Sequence, residues 1–502
     1  MSDQNCFDFR AASSQVTRRS LFQSVSGGLC GAALSQLLGR QGLAATGLLA
    51  NEKTSEAASV QTTAPSDLKP RLPHHEPRAK SVIHLFMNGG PSQMDLFDPK
   101  PMLDAHHGEK YFDKIAGEVE NPHAAGALMR SQYKFGQHGQ CGMWMSDALP
   151  NLSQRVDDIA MIRSMYTTNI THEPAIYIAQ SGKMSAGRPT LGSWVTYGLG
   201  SECQNLPAYI VLDDPLGLPV NGVENWDAGF LSPMFQGTRF RTNGAPVLNL
   251  KPDVERPESV VKDERQLISR LDELHQRQRP GQSILAARIA SYELAARMQL
   301  SASDALDLSQ ETQSTLEMYG IGREPTDSYG RRCLMARRLV ERGVRFVQLF
   351  VNGNLWDHHT GLVSGLKSCC ERTDLPIAGL LQDLKQRGLF DSTLIAWGSE
   401  FGRLPIAQLS PDKDDRNAGR DHNKNAFSVW MAGAGIRGGT TYGSTDELGL
   451  NAVGNRVSVP DWHATMLHLL GLNHEQLFVL DNGLKEKLTG VLEAHVVKGI
   501  MK

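Results

Sequence analysis

The chain contains little cysteine, and none of it is arranged for metal binding. The seven cysteines among 502 residues include no Cys-X-X-Cys pair, so the sequence does not predict a cysteine-based zinc site. If Cys6 and Cys30 leave with a signal peptide, five remain. This odd number gives no support for a dense disulfide framework.

An excess of charge and a long apolar run are also missing. Lys and Arg number 51 against 54 Asp and Glu, a formal net charge of −3. This balance gives no electrostatic reason to expect a nucleic acid partner. The apolar run at 25–38 is too short and too rich in Gly to form a stable membrane span. With 40% hydrophobic residues, the composition predicts a globular protein.

The first 45 residues have the order of a twin-arginine export signal. Arg18 and Arg19 precede the apolar run, and a Gly-Leu-Ala-Ala sequence at 42–45 offers small residues for cleavage. A chance arginine pair before a buried helix is the alternative. The signal predicts a protein that folds before export to the periplasm or cell exterior. Residues 46–78 are polar and predict a flexible linker, disordered or lying over the surface of the domain at 79–502.

Short apolar runs alternate with helical patterns through this domain. Runs that are apolar at every position are typical of strands buried on both faces. Their alternation with helices predicts an α/β fold with a parallel, doubly wound sheet. A charged helical region at about 257–316, divided at Pro280-Gly281, predicts a two-helix insertion. The predicted strands are 81–87, 159–165, 207–212, 343–351, 392–397 and 427–431.

Carboxylates and imidazoles stand at the ends of several predicted strands. In open α/β sheets, ligands bind beyond the carboxyl ends of the strands. Asp357 and His359 follow the strand at 343–351, Glu400 follows the strand at 392–397, and His422 lies in a neighbouring loop. Mixed carboxylate and imidazole ligands suit zinc, manganese or iron better than calcium. The sequence therefore predicts one or two divalent metal ions, which could activate a nucleophile and stabilise the charge on an ester.

Other residues are candidates for catalysis, anion binding or a further metal ligand. Thr171 and His172 stand where a helix begins, and the free N–H groups of a helix N-terminus favour an anion. Closing the turn is the alternative role for His172. Arg188 is either an anion clamp or a solvated surface arginine. Asp95, after the first strand, is either near the site or a turn residue.

The order of these segments resembles the alkaline phosphatase and sulfatase superfamily and, within it, a family of exported bacterial proteins. The resemblance implies an alkaline-phosphatase-like three-layer α/β/α sandwich with a mostly parallel central sheet and a helical insertion. The segments that carry it span nearly all of residues 80–475: LFMNGGPSQMDLFDPKP, THEPAIYIAQSG, GRPTLGSWVTYGLG, the WDHH stretch, GSEFGRLP, GRDHNKNAFSVWMAGAGIRGG and VPDWHATMLHLLGL.

The resemblance also implies residue roles. Asp357 and His359 take the place of an Asp and a His that bind one metal, and His422 resembles the last His ligand. Residues 399–402, Ser-Glu-Phe-Gly, look like the Ser-Asp-His-Gly motif of the superfamily but lack its His. Residues 171–174 take the place of the nucleophile loop.

The chain departs from the superfamily at two further points. The nucleophile loop holds neither Cys nor Ser, which leaves the hydroxyl of Thr171 or a nitrogen of His172 as the nucleophile. The first strand ends at Asn88, where an Asp is expected, and Asp95 is a possible replacement.

These features predict an exported, metal-dependent hydrolase of a phosphate or sulfate ester. Its substrate would be a small molecule or a polysaccharide, and its metal zinc or manganese. The alternative is a catalytically degenerate protein of the same fold that binds an anion or a glycan without turnover. The altered nucleophile loop favours this alternative.

Overall fold

A computed structural model describes residues 67–241, 257–279, 282–409, 417–491 and 493–502. The predicted signal peptide, residues 46–66 of the predicted linker and the break at Pro280-Gly281 lie outside these residues. Residues 67–78 form no helix or strand, but they are hydrogen-bonded to the domain. The N–H of Arg71 donates to the carbonyl of Leu199 at 2.9 Å, and that of Arg78 donates to Leu469 at 2.8 Å. This end of the segment therefore lies along the surface of the domain.

A nine-stranded sheet forms the centre of the described domain. It contains the six strands predicted from apolar runs, and three shorter strands complete it. In chain order the strands are β1 (Ser81–Phe86), β2 (Ile159–Tyr166), β3 (Tyr209–Leu212), β4 (Thr238–Phe240), β5 (Phe346–Phe350), β6 (Thr393–Gly398), β7 (Phe427–Gly433), β8 (Thr440–Tyr442) and β9 (Val457–Ser458).

The direction of one strand matters for the site. The spatial order is β8-β2-β7-β6-β1-β5-β3-β4, with β9 paired to β2. Eight strands run parallel, and β7 alone runs antiparallel to both its neighbours, β6 and β2. The start of β7 therefore lies at the same edge of the sheet as the carboxyl ends of β1, β2, β5 and β6.

Eight helices accompany the sheet in the described residues, besides three one-turn helices at Gln93–Leu96, Pro101–Ala105 and Phe112–Ile115. None of the helices in this part of the chain has the length and apolarity that a membrane span needs. The eight are α1 (His172–Ser181), α2 (Leu191–Leu199), α3 (Glu258–Arg277), α4 (Ser283–Leu306), α5 (Gln313–Met318), α6 (Asp327–Glu341), α7 (Leu362–Gln386) and α8 (Val459–Leu469). Helices α3 and α4 occupy the predicted insertion.

Helices cover both faces of the sheet. Ile83 and Leu85 of β1 belong to a core that includes the inner faces of α6 and α7. Val82 and Phe86, on the opposite face of the same strand, belong to a core shared with α1, α2 and α8. Burying each such side chain stabilises the fold by about 1.5–3 kcal/mol. The architecture is the predicted three-layer α/β/α sandwich.

Small two-stranded ribbons lie outside the main sheet. The ribbon of Gly402–Arg403 with His422–Asn423 lies at the carboxyl edge and joins the segment after β6 to the segment before β7. The others pair Ala125–Leu128 with Ile406–Gln408, Phe135–His138 with Met143–Ser146, Ser444–Thr445 with Ala452–Gly454, and Val479–Asp481 with Leu484–Glu486.

Two histidines are buried in the domain in their neutral form. His84 of β1 is 3% exposed, and burial lowers its pKa from 6.5 to about 3. His463 of α8 is fully buried, and burial lowers its pKa to about 4. In the unfolded chain both rings take up a proton below pH 6.5, whereas the folded chain keeps them neutral. Their contribution to stability is therefore complete above pH 6.5 and is lost as the pH falls toward the folded-state pKa values.

The variant His463→Gln tests this linkage, because an amide can still donate to the carbonyl of Ala179, which lies 2.8 Å from Nε2 of His463. Between pH 7 and pH 5, each buried histidine lowers the free energy of unfolding by about 2 kcal/mol. Between pH 7 and pH 5, we expect the free energy of unfolding to fall by about 2 kcal/mol less in the variant than in wild type, as measured by urea denaturation. His495→Gln, at a side chain that is 72% exposed, is the control. A wild-type pH dependence in His463→Gln would contradict the account.

Candidate metal centre

The end of β1 determines where Asp357 lies. Gly89 has a φ of 116°, and a Cβ there would lie 2.6 Å from the backbone nitrogen of Asp357. Glycine alone allows this approach. The N–H of Trp356 also donates to the carbonyl of Asn88 at 3.2 Å. The segment after β5 is therefore held against the end of β1.

Three imidazoles converge on the carboxylate of Asp357. Their Nε2 atoms lie at 3.0 Å from Oδ2 for His172, 3.0 Å from Oδ1 for His359 and 3.3 Å from Oδ1 for His422. Each of these four residues offers one ligand atom, and the four atoms lie within 4.8 Å of one another. We call these four residues the Asp357 cluster.

Each histidine of the cluster reaches it from a different element. His172 is the first residue of α1, in the connection that leaves β2. His359 lies two residues after Asp357, beyond the end of β5. His422 pairs with Arg403 in the ribbon before β7. The antiparallel direction of β7 explains how a residue that precedes a strand joins residues that follow strands.

The other ring nitrogen, Nδ1, faces an oxygen atom on the outer side of the cluster. A proton held on Nδ1 by such an oxygen leaves the lone pair of Nε2 free for a metal. Nδ1 of His172 is hydrogen-bonded to Oε1 of Glu400 at 2.8 Å, and Nδ1 of His359 to Oε1 of Gln408 at 2.5 Å. Nδ1 of His422 lies 2.5 Å from Oε2 of Glu120, but its N–H is not aligned with that oxygen.

A buried arginine holds the carboxylate from the protein side. Nη2 of Arg403 lies 2.6 Å from Oδ1 of Asp357, and Arg403 also donates to the carbonyls of Gly90 at 2.7 Å and Arg420 at 2.9 Å. Burial alone would raise the pKa of Asp357, but the three imidazoles and Arg403 hold it well below its ordinary value. Asp357 is therefore ionised.

The donor atoms of the cluster fit a small divalent cation. Two ligands of a tetrahedral zinc ion at about 2.0 Å are about 3.3 Å apart. The Nε2–Oδ distances in the cluster are 3.0–3.3 Å. Nε2 of His172 is buried and has no aligned hydrogen-bond partner among the described residues. The residues present therefore fit the predicted metal.

The charges around the Asp357 cluster suit a divalent cation. With neutral imidazoles, the carboxylates of Asp357, Glu400 and Glu120 have the guanidinium of Arg403 as a counter-charge among the described residues. One divalent cation balances the two remaining negative charges. Without metal, a proton takes over part of this role. Burial would lower the pKa of His172, but the nearby carboxylates of Asp357 and Glu400 raise it to about 9.

Glu400, predicted as a metal ligand, lies outside the cluster and orients His172. Its Oε1 accepts from the N–H of Gly89 at 2.8 Å as well as from His172, and its Oε2 accepts from the hydroxyl of Ser399 at 2.7 Å. Oε1 thus already has two donors, and Glu400 is not among the residues whose ligand atoms converge.

Two further predicted residues are engaged elsewhere. The carboxylate of Asp95 is buried and accepts from Nε of Arg420 at 2.8 Å and from the hydroxyl of Ser92 at 2.5 Å. It acts as the counter-charge of a buried arginine. Arg188 forms an ion pair with Glu486 at 2.9 Å, so its charge is already balanced. The structure therefore does not place Asp95 among the metal ligands or Arg188 as an anion clamp.

Two other residues singled out in the sequence have distinct positions. Thr171 is the exposed N-cap residue of α1, and its hydroxyl donates to Oε1 of Glu120 at 3.3 Å. Asn88 is buried, and its side chain donates to the carbonyls of Val351 at 3.1 Å and of Gly353. Asn88 therefore joins the ends of β1 and β5.

The sequence patterns indicate no role for Glu120, Arg403 or Gln408. Arg403 stands in GSEFGRLP, where an arginine among apolar residues and glycines could have indicated a buried charge. Glu120 and Gln408 lie in segments without a strong periodic pattern. Only the tertiary structure brings them to the rings that they contact.

The sequence from residue 79 to 501 matches the family described as "Protein of unknown function (DUF1501)". The chain belongs to this family. No curated protein matches the sequence.

Several solved structures are similar to the chain at low identity. The lipoteichoic acid synthase LtaP from Listeria monocytogenes is 9% identical, with 85% of this chain and 79% of that chain covered and a TM-score of 0.37. The PsFucS1 sulfatase from Pseudoalteromonas sp. is 13% identical, with 79% and 69% covered and a TM-score of 0.34. A mutant of TAB5 alkaline phosphatase with magnesium bound is 12% identical, with 79% and 99% covered and a TM-score of 0.32.

A cation that binds only the folded chain stabilises it. At a free zinc concentration of about 100 times the dissociation constant, the gain is about 2.7 kcal/mol. We expect zinc or manganese to raise the melting temperature of wild type, and His359→Ala to lose most of this rise because one ligand is gone. His123→Ala, at an exposed position, is the control. Thermal unfolding with and without metal measures the effect, and an undiminished rise in His359→Ala would contradict the assignment.

Proposed function

We propose that the chain is an exported hydrolase of phosphate or sulfate esters that uses one zinc or manganese ion. The observation that carries the proposal is the convergence of three Nε2 atoms on the carboxylate of Asp357, next to the start of α1. The motifs that resemble the alkaline phosphatase and sulfatase superfamily include these residues. The proposed substrate is a small-molecule or polysaccharide ester.

The start of α1 supports the binding of the ester group. The N–H groups of His172 and Glu173, in the first turn, have no partner within the helix. The helix dipole adds a partial positive charge at this end, which favours an anion. Oδ1 of Asn169 accepts from the N–H of Thr171 at 2.8 Å and fixes the loop. A phosphate or sulfate group bound here lies within reach of the hydroxyl of Thr171.

Thr171 fits the role of nucleophile better than His172 does. Nδ1 of His172 is hydrogen-bonded to Glu400, and its Nε2 faces Asp357 in the proposed metal site. The Oγ1 atom of Thr171 attacks the phosphorus or sulfur atom, the alcohol leaves, and water then hydrolyses the ester formed on Thr171. The hydroxyl proton passes to a base, and the leaving oxygen takes up a proton. A divalent ion in the Asp357 cluster supplies Lewis-acid polarisation of an ester oxygen.

Binding of an anion or a glycan without turnover is the second candidate. Two observations favour it. Thr171 stands where the superfamily has Cys or Ser, and Glu400 and Asn88 act as hydrogen-bonding residues instead of further ligands. Such a protein would keep a metal and an anion site but would release no alcohol.

The proposed location is the periplasm or the cell exterior. The twin-arginine pattern at Arg18 and Arg19 supports it, because that route carries folded proteins that already hold their cofactors. Cell fractionation tests the location, and recovery of the chain from the cytoplasm alone would contradict it.

Thr171 variants separate the two functions. Thr171→Val removes the hydroxyl at nearly constant volume, and Thr171→Ser keeps a hydroxyl. We expect the valine variant to lower kcat for a chromogenic phosphate or sulfate ester by about 1,000-fold or more, and the serine variant by about 10-fold or less. The rise in melting temperature with metal stays the same in both.

Two results would change this assignment. Full activity in Thr171→Val would exclude Thr171 as the nucleophile. Wild-type protein that binds metal and phosphate or sulfate, yet hydrolyses neither ester, would support the binding function.

A further inference from the structure

Glu120 touches both chemically important parts of the site. Its Oε2 lies 2.5 Å from Nδ1 of His422, and its Oε1 accepts from the hydroxyl of Thr171 at 3.3 Å. Its side chain is 34% exposed. We propose that Glu120 is a positioning residue that couples the metal ligand His422 to the nucleophile Thr171, an inference that rests on the proposed function.

The backbone around Glu120 is held in place beside His422. Val119 is buried in a small core with Leu404 and Ile406. On either side of Glu120, further contacts join its segment to the one that carries His422. Glu118 forms an ion pair with Lys424 at 3.0 Å, and the N–H of Asn121 donates a hydrogen bond to Oδ2 of Asp421 at 2.9 Å. Successive residues of the two segments are thus paired, and the carboxylate of Glu120 is directed at the ring.

The contact with His422 selects a tautomer. In this structure the ring N–H of His422 is not aligned with Oε2. A carboxylate oxygen and an unprotonated ring nitrogen repel each other at 2.5 Å, so the contact favours a proton on Nδ1. The lone pair of Nε2 then faces the cluster, as a metal ligand requires. Without Glu120, the ring can carry its proton on Nε2 and donate to Oδ1 of Asp357, 3.3 Å away. That tautomer cannot bind a metal through Nε2.

The contact with Thr171 orients the nucleophile. The hydroxyl hydrogen points to Oε1 of Glu120, which leaves the lone pairs of Oγ1 available to the substrate. Thr171 does not cap α1 with its side chain, so within the described residues Glu120 is the hydrogen-bond partner that fixes its rotamer. One carboxylate therefore aligns a ligand and a nucleophile at the same time.

The first test follows the tautomer of His422 without metal. In full-length chain with ¹⁵N-labelled histidine, NMR distinguishes a proton on Nδ1 from one on Nε2. We expect the Nδ1 form in wild type and a shift to the Nε2 form in Glu120→Ala. Glu118→Ala is the matched control, because it removes a neighbouring carboxylate that contacts Lys424 and not His422. An unchanged tautomer in Glu120→Ala would overturn the proposal.

The second test measures zinc affinity by competition with a chromophoric chelator. Loss of a hydrogen-bond partner of a ligating histidine weakens metal binding by about 10–100-fold, so we expect this loss in Glu120→Ala and wild-type affinity in Glu118→Ala. Glu120→Gln keeps one acceptor oxygen, so we expect its zinc affinity to lie between those of Glu120→Ala and wild type. Wild-type affinity in Glu120→Ala would contradict the coupling.

Kinetics with a chromogenic ester and saturating zinc complete the test. We expect Glu120→Ala to lower kcat by about 10-fold or more at nearly constant KM, because Thr171 is misaligned in the step after binding. An unchanged kcat in Glu120→Ala would overturn the proposed role of Glu120 in orienting Thr171. A tautomer shift in Glu120→Ala together with an inactive wild type would instead overturn the proposed function and leave the positioning of His422 established.

Discussion

The carboxylate of Asp357 is bound by three imidazoles and one guanidinium, and each of these groups reaches it from a different part of the chain. A charge that is largely removed from water is stable only when it is paired and hydrogen-bonded. The arrangement of the sheet edge meets this condition. Gly89 lets the end of β1 approach Asp357, and the reversed direction of β7 brings His422 to the edge where the parallel strands end.

The same edge is the basis for proposing one ion. Glu400 and Asn88 occupy positions where the resemblance to the superfamily implies further metal ligands. Here Glu400 orients His172 and Asn88 ties two strands together. The remaining ligands share the space around a single carboxylate. A hydrolase built on this site depends on one ion, on the start of α1 and on a threonine hydroxyl, which is a smaller set of catalytic groups than a two-metal site has.

The sheet and the positions of Asp357 and His359 could be predicted from the sequence because their signals are local. The sequence predicts His172 as a nucleophile or a turn residue, not as a member of the Asp357 cluster. Apolar runs between turn residues mark six strands, and the position of Asp357 and His359 after a strand marks the edge that binds ligands. Helix α7 (Leu362–Gln386) is hard to recognise because Pro376 and Gly365 interrupt its pattern. The roles of Asp95 and Glu400 depend on which partners their carboxylates meet. Those partners, Arg420 and His172, are distant in sequence.

We propose that three histidines and one aspartate hold one metal ion. X-ray absorption spectroscopy of the zinc-loaded chain reports these ligands themselves. We expect metal analysis to give one zinc per chain, and the spectrum to show nitrogen and oxygen ligands at about 2.0 Å and scattering from three imidazole rings, reduced to two in His172→Ala. Sulfur ligands, or a zinc shell without imidazole in the wild-type chain, would contradict it.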